Sequence, residues 1–576
     1  MSAEAGAASF CRTFAGVAAA LLLGTCALFL NVPSVQAQQQ PAPGPVAPSP
    51  SVVGRDVLQV DPSTPDRKPK ISVTPSLGLN LPPDVLNREV EYRSVLVEGA
   101  TAFKSTDIEP LFASVLNRRV KFSEVVTAID RITAIYQEGG YAFYSVVLPR
   151  QDFGGDRLHV IIIEGTIAKI EIDPAIATEK ARERITELLA PLIGRRLLRK
   201  AELERRLLLA ADTPGTALIA NARPTAGDPT KVDLVIGGKF ERFQPIAQLD
   251  DFQTTPDTSV NFRVGGIGRS LLTGGDALEL RYLFALPWNS LNLVDARYGL
   301  PVGNDGGRLS LLGQAVWRRP LTTINGQTVD YLAQSLLGRL QYSHPVVRTL
   351  NWTLMGFAMV DVIEVDYYLL GFHIPGDSLR VLRGGTTAVT DDLGAIWTAS
   401  ALASVGLGVA DAAANNRFSA TPTFFKANLA LERIQPIGKT FAVLARATGQ
   451  LTSGTVPASE VFAYGGSDYG RAFVVAQSFG DRGAAVAGEI RYTPDWLGID
   501  TDIAQPQLYA FADHAWLSST DPRNAPYFYE GSSAGGGLRV RALQKWTGEV
   551  EFAQGFGTQP VDYRPWRINF RIGTVF

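Results

Sequence analysis

The segment that decides the fold lies at the C-terminus, where residues 566–576 have the sequence WRINFRIGTVF. Apolar residues occupy the even positions from Trp566 to Ile572, and arginine or asparagine occupies the odd positions between them. Side chains alternate between the two faces of a β-strand, so this segment has one apolar and one polar face. That pattern predicts a membrane-spanning strand with lipid outside and water inside, and the aromatic last residue, Phe576, fits a C-terminal barrel signal.

The same alternation extends far back along the chain, for example through residues 278–284 (LELRYLF). It dominates residues 240–576, which are long enough for about 16 strands at roughly 10 residues each, with turns and loops between them. Eighteen strands would fit nearly as well, on the same estimate of roughly 10 residues per strand. A soluble β-sandwich is the alternative. We predict a mainly β protein whose residues 240–576 form a transmembrane antiparallel β-barrel.

The N-terminus has the features of a secretory leader. Arg12 precedes an apolar run over residues 14–30, and residues 35–37 (VQA) form a small-residue cleavage site. We therefore predict a signal peptide over residues 1–37. The alternatives are a single membrane anchor and, more weakly, a lipoprotein site at residues 23–26.

Both cysteines of the chain, Cys11 and Cys26, lie within this predicted leader, so the mature protein would contain no disulfide. The following residues, 38–85, are rich in Gln, Pro and Ser. Such a composition cannot bury a core, so we predict a mobile linker. It shows no strong amphipathic helix.

Residues 90–165 and 166–238 each have the pattern of a β-α-α-β-β unit. In the first unit, the second helix places apolar residues at steps of four, three and four, which forms one stripe. The stripe consists of Val125, Ile129, Ile132 and Tyr136. A repeated supersecondary unit predicts two small domains of the same type ahead of the barrel.

Several function classes lack support in the sequence. The net charge of −2 argues against nucleic-acid binding. The histidines show no metal-ligand spacing, and no nucleophile elbow or phosphate-binding loop is present. These histidines are His159, His344, His373 and His514. We therefore expect no enzymatic activity, no catalytic residues, no metal and no cofactor.

The two repeated units resemble POTRA (polypeptide-transport-associated) domains. Residues 140–149 (GYAFYSVVLP) and 158–165 (LHVIIIEG) are similar to the closing segments of the first POTRA unit in one family. Two POTRA units before a barrel resemble the TpsB transporters of two-partner secretion, the haemolysin secretion/activation proteins, within the Omp85 superfamily. The resemblance covers nearly the whole chain after the linker.

This resemblance implies a location and partners. The barrel would lie in the lipid of a Gram-negative outer membrane, after insertion by the barrel assembly machinery, with the POTRA units in the periplasm. The partner would be a secreted, TpsA-like exoprotein that is recognised by the POTRA units and passes through the barrel.

A third segment, residues 464–492, is similar to the loop-6 signature of the family. Its motif is Gly470-Arg471-Ala472-Phe473, whereas the commoner form has Val before the arginine and Gly after it. The family's arginine is held by an acidic residue on the inner wall of the barrel. The resemblance therefore gives Arg471 that role.

The alternation over residues 484–492 places Glu489 on the face opposite Val486, Ile490 and Tyr492, which is the lumen face if the apolar side meets lipid. Arginine can grip a carboxylate through two hydrogen bonds. By resemblance to the family, Glu489 would be the acidic partner of Arg471, with Asp481 as the alternative. A loop arginine without a fixed partner is the simpler possibility.

An exposed POTRA edge strand could accept a client segment as an additional strand. The candidate region is residues 141–148, in which the named contacts would be Tyr141, Phe143, Val146 and Leu148, and the helix over residues 125–138 lies beside it. The alternative is that these side chains only fill the core of the unit.

Two other functions remain open at this point. An Omp85-type assembly factor would share the arginine loop but usually has more POTRA units. A passive porin or adhesin would not need the POTRA pair.

Overall fold

The computed structural model describes residues 70–73, 83–149, 151, 155–176, 178–252, 258–320, 322–324, 327–392, 394–417, 419–496, 498, 503–520, 527–543, 545–557 and 566–574. All of them belong to one compact unit, Val46–Phe576. The predicted signal peptide, most of the predicted linker and the C-terminal signal at Phe576 lie outside the described residues.

The first α/β unit packs one long helix on a three-stranded sheet. After strand β1 (Lys70–Val73) come α1 (Pro83–Leu86), β2 (Glu89–Glu91), β3 (Ser94–Glu98), α2 (Ser105–Ile108), a 3₁₀ turn (Glu109–Phe112), β4 (Arg119–Lys121), α3 (Phe122–Glu138), β5 (Tyr144–Val147) and β6 (Arg157–Glu164). The main sheet has the order β3-β6-β5, and β2 pairs with β4. All four residues of the predicted helical stripe are buried in the core, because α3 turns that face to the sheet.

The second α/β unit has the same plan with a larger sheet. It contains β7 (Thr166–Ile172), a 3₁₀ turn (Pro174–Ile176), α4 (Glu179–Leu189), a 3₁₀ turn (Ala190–Leu192), α5 (Lys200–Ala211), β8 (Thr216–Thr225) and β9 (Asp228–Phe240). Its sheet has the order β1-β8-β9-β7. Leucine and isoleucine side chains from both helices form its core.

One part of the predicted mobile linker is ordered. Strand β1 lies in the Gln/Pro/Ser-rich segment, yet it pairs in parallel with β8, from Lys70 opposite Ile219 to Val73 opposite Ala222. The prediction of a mobile linker throughout was wrong here because strand pairing uses backbone donors and acceptors, which composition does not reveal.

The rest of the chain forms a closed, antiparallel barrel of 16 strands. They are β10 (Phe243–Asp250), β11 (Val260–Arg269), β12 (Ala277–Leu286), β13 (Leu291–Val302), β14 (Gly307–Arg318), β17 (Tyr331–Arg348), β18 (Trp352–Leu369), β19 (Phe372–Asp392), β20 (Ala395–Leu407), β21 (Phe425–Ile437), β22 (Phe441–Thr452), β25 (Arg482–Tyr492), β26 (Ala504–Ser519), β27 (Tyr527–Ala542), β28 (Trp546–Gly557) and β29 (Trp566–Thr574). Two small hairpins interrupt the series, β15 (Thr322–Ile324) with β16 (Gln327–Val329), and β23 (Phe462–Tyr464) with β24 (Ser478–Gly480). The predicted fold class is confirmed.

The barrel wall has an apolar outer face and a polar inner face. On β29, Ile568 is 58% exposed on the outer face, whereas the neighbouring Asn569 is fully buried on the lumen side. The inner face carries paired charges, such as Arg281 and Asp295, whose side chains lie 2.9 Å apart. This inversion of a soluble protein's pattern is what a lipid-embedded barrel requires. Among the described helices, none combines the length and the apolar character needed to cross a membrane.

The second α/β unit is attached to the barrel through charged side chains. Arg348 at the end of β17 donates two hydrogen bonds of 2.8 Å to the carboxylate of Asp212, just after α5. Arg184 on α4 donates to the backbone oxygen of Gly303 and the side-chain oxygen of Asn304, in the turn after β13. These contacts fix the unit at the rim where the turns of the barrel lie.

Candidate functional site: a loop anchored in the barrel lumen

The segment between β22 and β25, residues 453–481, folds back inside the barrel; we call it the inward loop. It begins with a 3₁₀ turn, Ala458–Glu460, and continues as the β23–β24 hairpin. Tyr464 and Phe473 of this loop pack in one cluster with Phe511 from the lumen face of β26. The predicted loop-6 motif, residues 470–473, lies at the end of the hairpin and is buried against the wall.

Arg471 connects the inward loop to two carboxylates of the barrel wall. Its Nη2 donates to Glu489 Oε2 on β25 at 2.8 Å, and its Nη1 donates to Glu551 Oε2 on β28 at 2.9 Å. Its guanidinium also lies 4.3 Å from the ring centroid of Phe511. Removing one partner of a buried ion pair typically costs about 3–5 kcal/mol. The arginine therefore fixes the end of the hairpin to the wall.

The two acidic partners have different surroundings. Glu489 is shared, because Arg491 binds its other oxygen at 2.7 Å and Arg539 lies 3.6 Å away. Glu551 accepts further hydrogen bonds from neutral groups, the hydroxyl of Tyr509 and the amide of Asn569. Asn569 also donates to the backbone oxygen of Arg471 at 3.1 Å. Wall residues from four strands thus converge on one loop residue.

Of the two predicted partners of Arg471, the structure places only Glu489 against it. Asp481 accepts from Arg417 at 2.6 Å instead, and it also accepts from the backbone of Thr520 and Val456. Asp481 therefore fastens the end of the inward loop to neighbouring loops.

Sequence reasoning missed Glu551. A signal was available, because residues 549–552 (EVEF) alternate charge with apolar residues, which places Glu551 on the lumen face with Glu549.

The unusual residue before the arginine has a structural reason. Gly470 adopts a positive φ of 76°, and a Cβ there would lie 2.9 Å from the backbone of Gly465. Its N–H donates to Asp513 on β26 at 2.8 Å. A larger residue would strain the backbone and push the two glycines apart. The turn before Arg471 therefore favours glycine at position 470.

The predicted client-binding residues lie mostly inside the α/β units. Val146 is buried in the core of the first unit, and Tyr141 and Leu148 pack against that core. Phe143 packs against the core of the second unit. In the described part of the chain, β5 pairs with β6 alone, so its other edge offers backbone groups without a neighbouring strand. The edge, more than these side chains, is available for binding.

Glu164, near the end of the 158–165 segment, holds two parts of the first α/β unit together. It accepts hydrogen bonds from the backbone N–H groups of Thr101 and Ala102, both at 2.8 Å, and from the hydroxyl of Tyr136 at 2.6 Å. Burial acts to raise the pKa of Glu164, but these hydrogen bonds and that of the Thr101 hydroxyl outweigh it, so the pKa is lowered. The carboxylate thereby holds the turn after β3 onto the end of β6.

The site has the character of a mechanical anchor. Its charged groups are engaged with one another, and among the described residues no group of three or more His, Cys, Asp or Glu side chains could hold a metal ion. Paired charges of this kind fix a segment in place and can release it when a partner changes.

Comparison with known proteins agrees with this architecture. Residues 90–165 match the POTRA domain, ShlB-type. The outer membrane transporter CdiB of Escherichia coli is 29% identical over 82 residues, which is 14% of this chain and 14% of that protein.

Two solved structures share the fold over most of their length. CdiB from Escherichia coli superposes with a TM-score of 0.66 at 17% identity, over 89% of this chain and 94% of that chain. CdiB from Acinetobacter baumannii gives a TM-score of 0.60 at 16% identity, over 91% and 96% respectively.

The chain therefore combines a ShlB-type POTRA domain with a closed 16-stranded barrel that contains an inward-folded loop. The likeness to the two CdiB structures shows that the chain has their fold.

Proposed function

We propose that this chain is an outer-membrane transporter of the TpsB type that secretes one partner exoprotein by two-partner secretion. An unfolded client would bind the POTRA units in the periplasm and cross the outer membrane through the barrel lumen. The observation that carries the proposal is the inward loop, which occupies the lumen and is held there by Arg471 between Glu489 and Glu551. A loop fixed in the lumen by paired buried charges can be released when a partner of those charges changes, which suits a gated transporter.

Client recognition would use the backbone edge of β5 in the first unit. Main-chain hydrogen bonds to an added strand tolerate many sequences, and neighbouring side chains would supply selectivity. Within residues 141–148, Val147 is 36% exposed and lies beside this edge. No nucleotide-binding motif accompanies these units, so we infer that the client's folding outside the cell provides the driving force.

The test begins with a strain that lacks the chain. The protein that disappears from its culture medium, and returns on complementation, is the client. Arg471→Ala should reduce that secretion by about tenfold or more, since a buried ion pair is lost, while the barrel still assembles. Arg297→Ala is the matched control, because Arg297 lies on the lumen face of β13 and has no hydrogen bond or ion pair with the described residues of the inward loop.

Normal secretion by the Arg471→Ala protein would refute the role assigned to the arginine. The same strains also test the other functions. If depletion removes many outer-membrane proteins, the chain is an assembly factor. If a protein that lacks residues 92–236 keeps its function in the outer membrane, the chain is a porin or adhesin.

A further inference from the structure

The inward loop has a second buried charge, Glu460, at the end of its 3₁₀ turn. We propose that Glu460 is a positioning residue that anchors the start of the loop to a different part of the barrel wall, independently of Arg471. The loop would then leave the lumen only when both anchors release. This inference rests on the proposed gating role of the loop.

Glu460 is gripped by two cations of the wall. Arg383 on β19 donates to both of its carboxylate oxygens, at 2.7 and 3.1 Å. Lys426 on β21 lies 2.5 Å from Oε2. Glu460 is 1% exposed, so water cannot replace these partners while the loop is in place. A carboxylate held by a two-pronged arginine and a lysine is a strong and directional contact.

The anchor extends into the wall as a chain of alternating charges. Arg383 also donates to Asp361 on β18 at 2.7 Å, and Arg339 on β17 donates to the same carboxylate at 2.7 and 3.0 Å. Three cations therefore face only two carboxylates, one of which belongs to the loop. Without Glu460, the cations Arg383 and Lys426 would be left with Asp361 as their nearest anion, and their mutual repulsion would disfavour the closed loop.

The backbone around Glu460 is also tied to the wall. Gln450 on β22 donates to the backbone oxygens of Glu460 at 2.8 Å and of Asp481 at 3.0 Å. One wall amide thus holds the start and the end of the inward loop together. Glu460 lies on this fixed base, whereas Arg471 lies at the far end of the hairpin, so the two anchors can break separately.

The two anchors use separate strands. Glu460 contacts β19 and β21, with the charge chain reaching β17 and β18, whereas the carboxylates that bind Arg471 lie on β25 and β28. They also have opposite signs, because the loop supplies an anion to one and a cation to the other. No charged group is common to the two, so loss of one anchor leaves the other intact.

The experiment measures the position of the loop without any client. A single cysteine is placed by Ser467→Cys near the end of the hairpin, and its rate of labelling with a maleimide too polar to cross membranes is followed in the purified barrel. The protein without this substitution gives the blank, because Cys11 and Cys26 lie in the predicted leader. Glu460→Gln should increase the labelling rate by about tenfold, and Arg471→Ala by a similar factor.

Glu279→Gln is the matched control. Glu279 is a lumen carboxylate on β12 that pairs with Arg281, a wall residue, at 3.5 Å. The Glu279→Gln substitution should leave the labelling rate of the Ser467→Cys protein unchanged. A rate for Glu460→Gln equal to that of this control would overturn the proposal.

Lys426→Gln provides a second route if Glu460→Gln does not assemble. It removes one of the two cations on Glu460 but keeps Arg383, so labelling should rise by a smaller factor of about threefold. An unchanged rate for Lys426→Gln in that case overturns the proposal. Labelling reports the loop position, so it is independent of the secretion assay: faster labelling with normal secretion would refute the gating role and leave the anchor established.

Discussion

The two anchors of the inward loop have opposite charge arrangements. At one, the cation Arg471 of the loop lies between the wall carboxylates of Glu489 and Glu551. At the other, the anion Glu460 of the loop lies between the wall cations Arg383 and Lys426. The loop therefore carries a cation at the far end of its hairpin and an anion at its start, and each faces wall groups of opposite sign.

This difference shows what the buried charges contribute. Ion pairs taken out of water contribute little net stability, because desolvation offsets the attraction. They do impose orientation, since a loop that entered the lumen in another register would bring charges of like sign together. The anchors therefore specify one position of the loop more than they stabilise the barrel.

Loss of both anchors should have the largest effect. The Arg471→Ala/Glu460→Gln protein lacks both buried anchors and keeps weaker contacts with the wall, such as the half-exposed pair of Asp468 and Arg446 at 3.5 Å, so the loop should leave the lumen far more often. We expect labelling of Ser467→Cys to rise about a hundredfold, and channel conductance in planar bilayers to exceed that of either single variant. A double variant no different from the stronger single variant would show that the two anchors are one unit.

Loss of either wall carboxylate that binds Arg471 should reduce secretion, but to a different extent for Glu489 and Glu551. Glu489→Gln leaves Arg471, Arg491 and Arg539 close together with one carboxylate fewer, whereas Glu551→Gln removes a group whose other partners are neutral. We expect secretion to fall by about tenfold in the first and about threefold in the second. The reverse order, measured in culture medium, would mean that Glu551 carries most of the attachment.

Gly470→Ala should weaken the Arg471 anchor without removing a charge. The added Cβ would meet Gly465 at a positive φ, and the resulting strain of about 1–2 kcal/mol should increase labelling severalfold. Gly488→Ala, on β25, is the control because a Cβ there meets nothing within 4 Å. Equal labelling in the two proteins would show that the turn tolerates a side chain.

Arg339→Met tests how far the Glu460 anchor extends into the wall, and its effect should be the smallest. Arg339 binds Asp361 but not the loop, so its loss leaves Arg383 bound to both carboxylates. We expect a change in labelling below about twofold. A change as large as that of Glu460→Gln would mean that the whole chain of charges holds the loop.

Much of the fold, and part of the Arg471 site, could be predicted from the sequence because side chains along a β-strand alternate between its two faces. The alternation on residues 566–572 assigned the lipid and lumen faces, and the same parity placed Glu489 inside the barrel. The helical stripe of the first α/β unit was equally visible, because its apolar spacing follows one helix face.

The second anchor could not be predicted in this way. Glu460 lies in a short turn without periodicity, and its partners Arg383 and Lys426 are distant in sequence and on other strands. Their meeting depends on the closure of the barrel and on the loop folding inward, neither of which a local pattern contains.

Strand β1 has a practical consequence for dividing the protein into fragments. It precedes the first α/β unit in the chain but completes the sheet of the second, at the edge of β8. A fragment that starts at residue 166 would leave that edge bare, and bare edges promote self-association and precipitation. Soluble pieces for binding studies should therefore start ahead of Lys70, even when only the second unit is wanted.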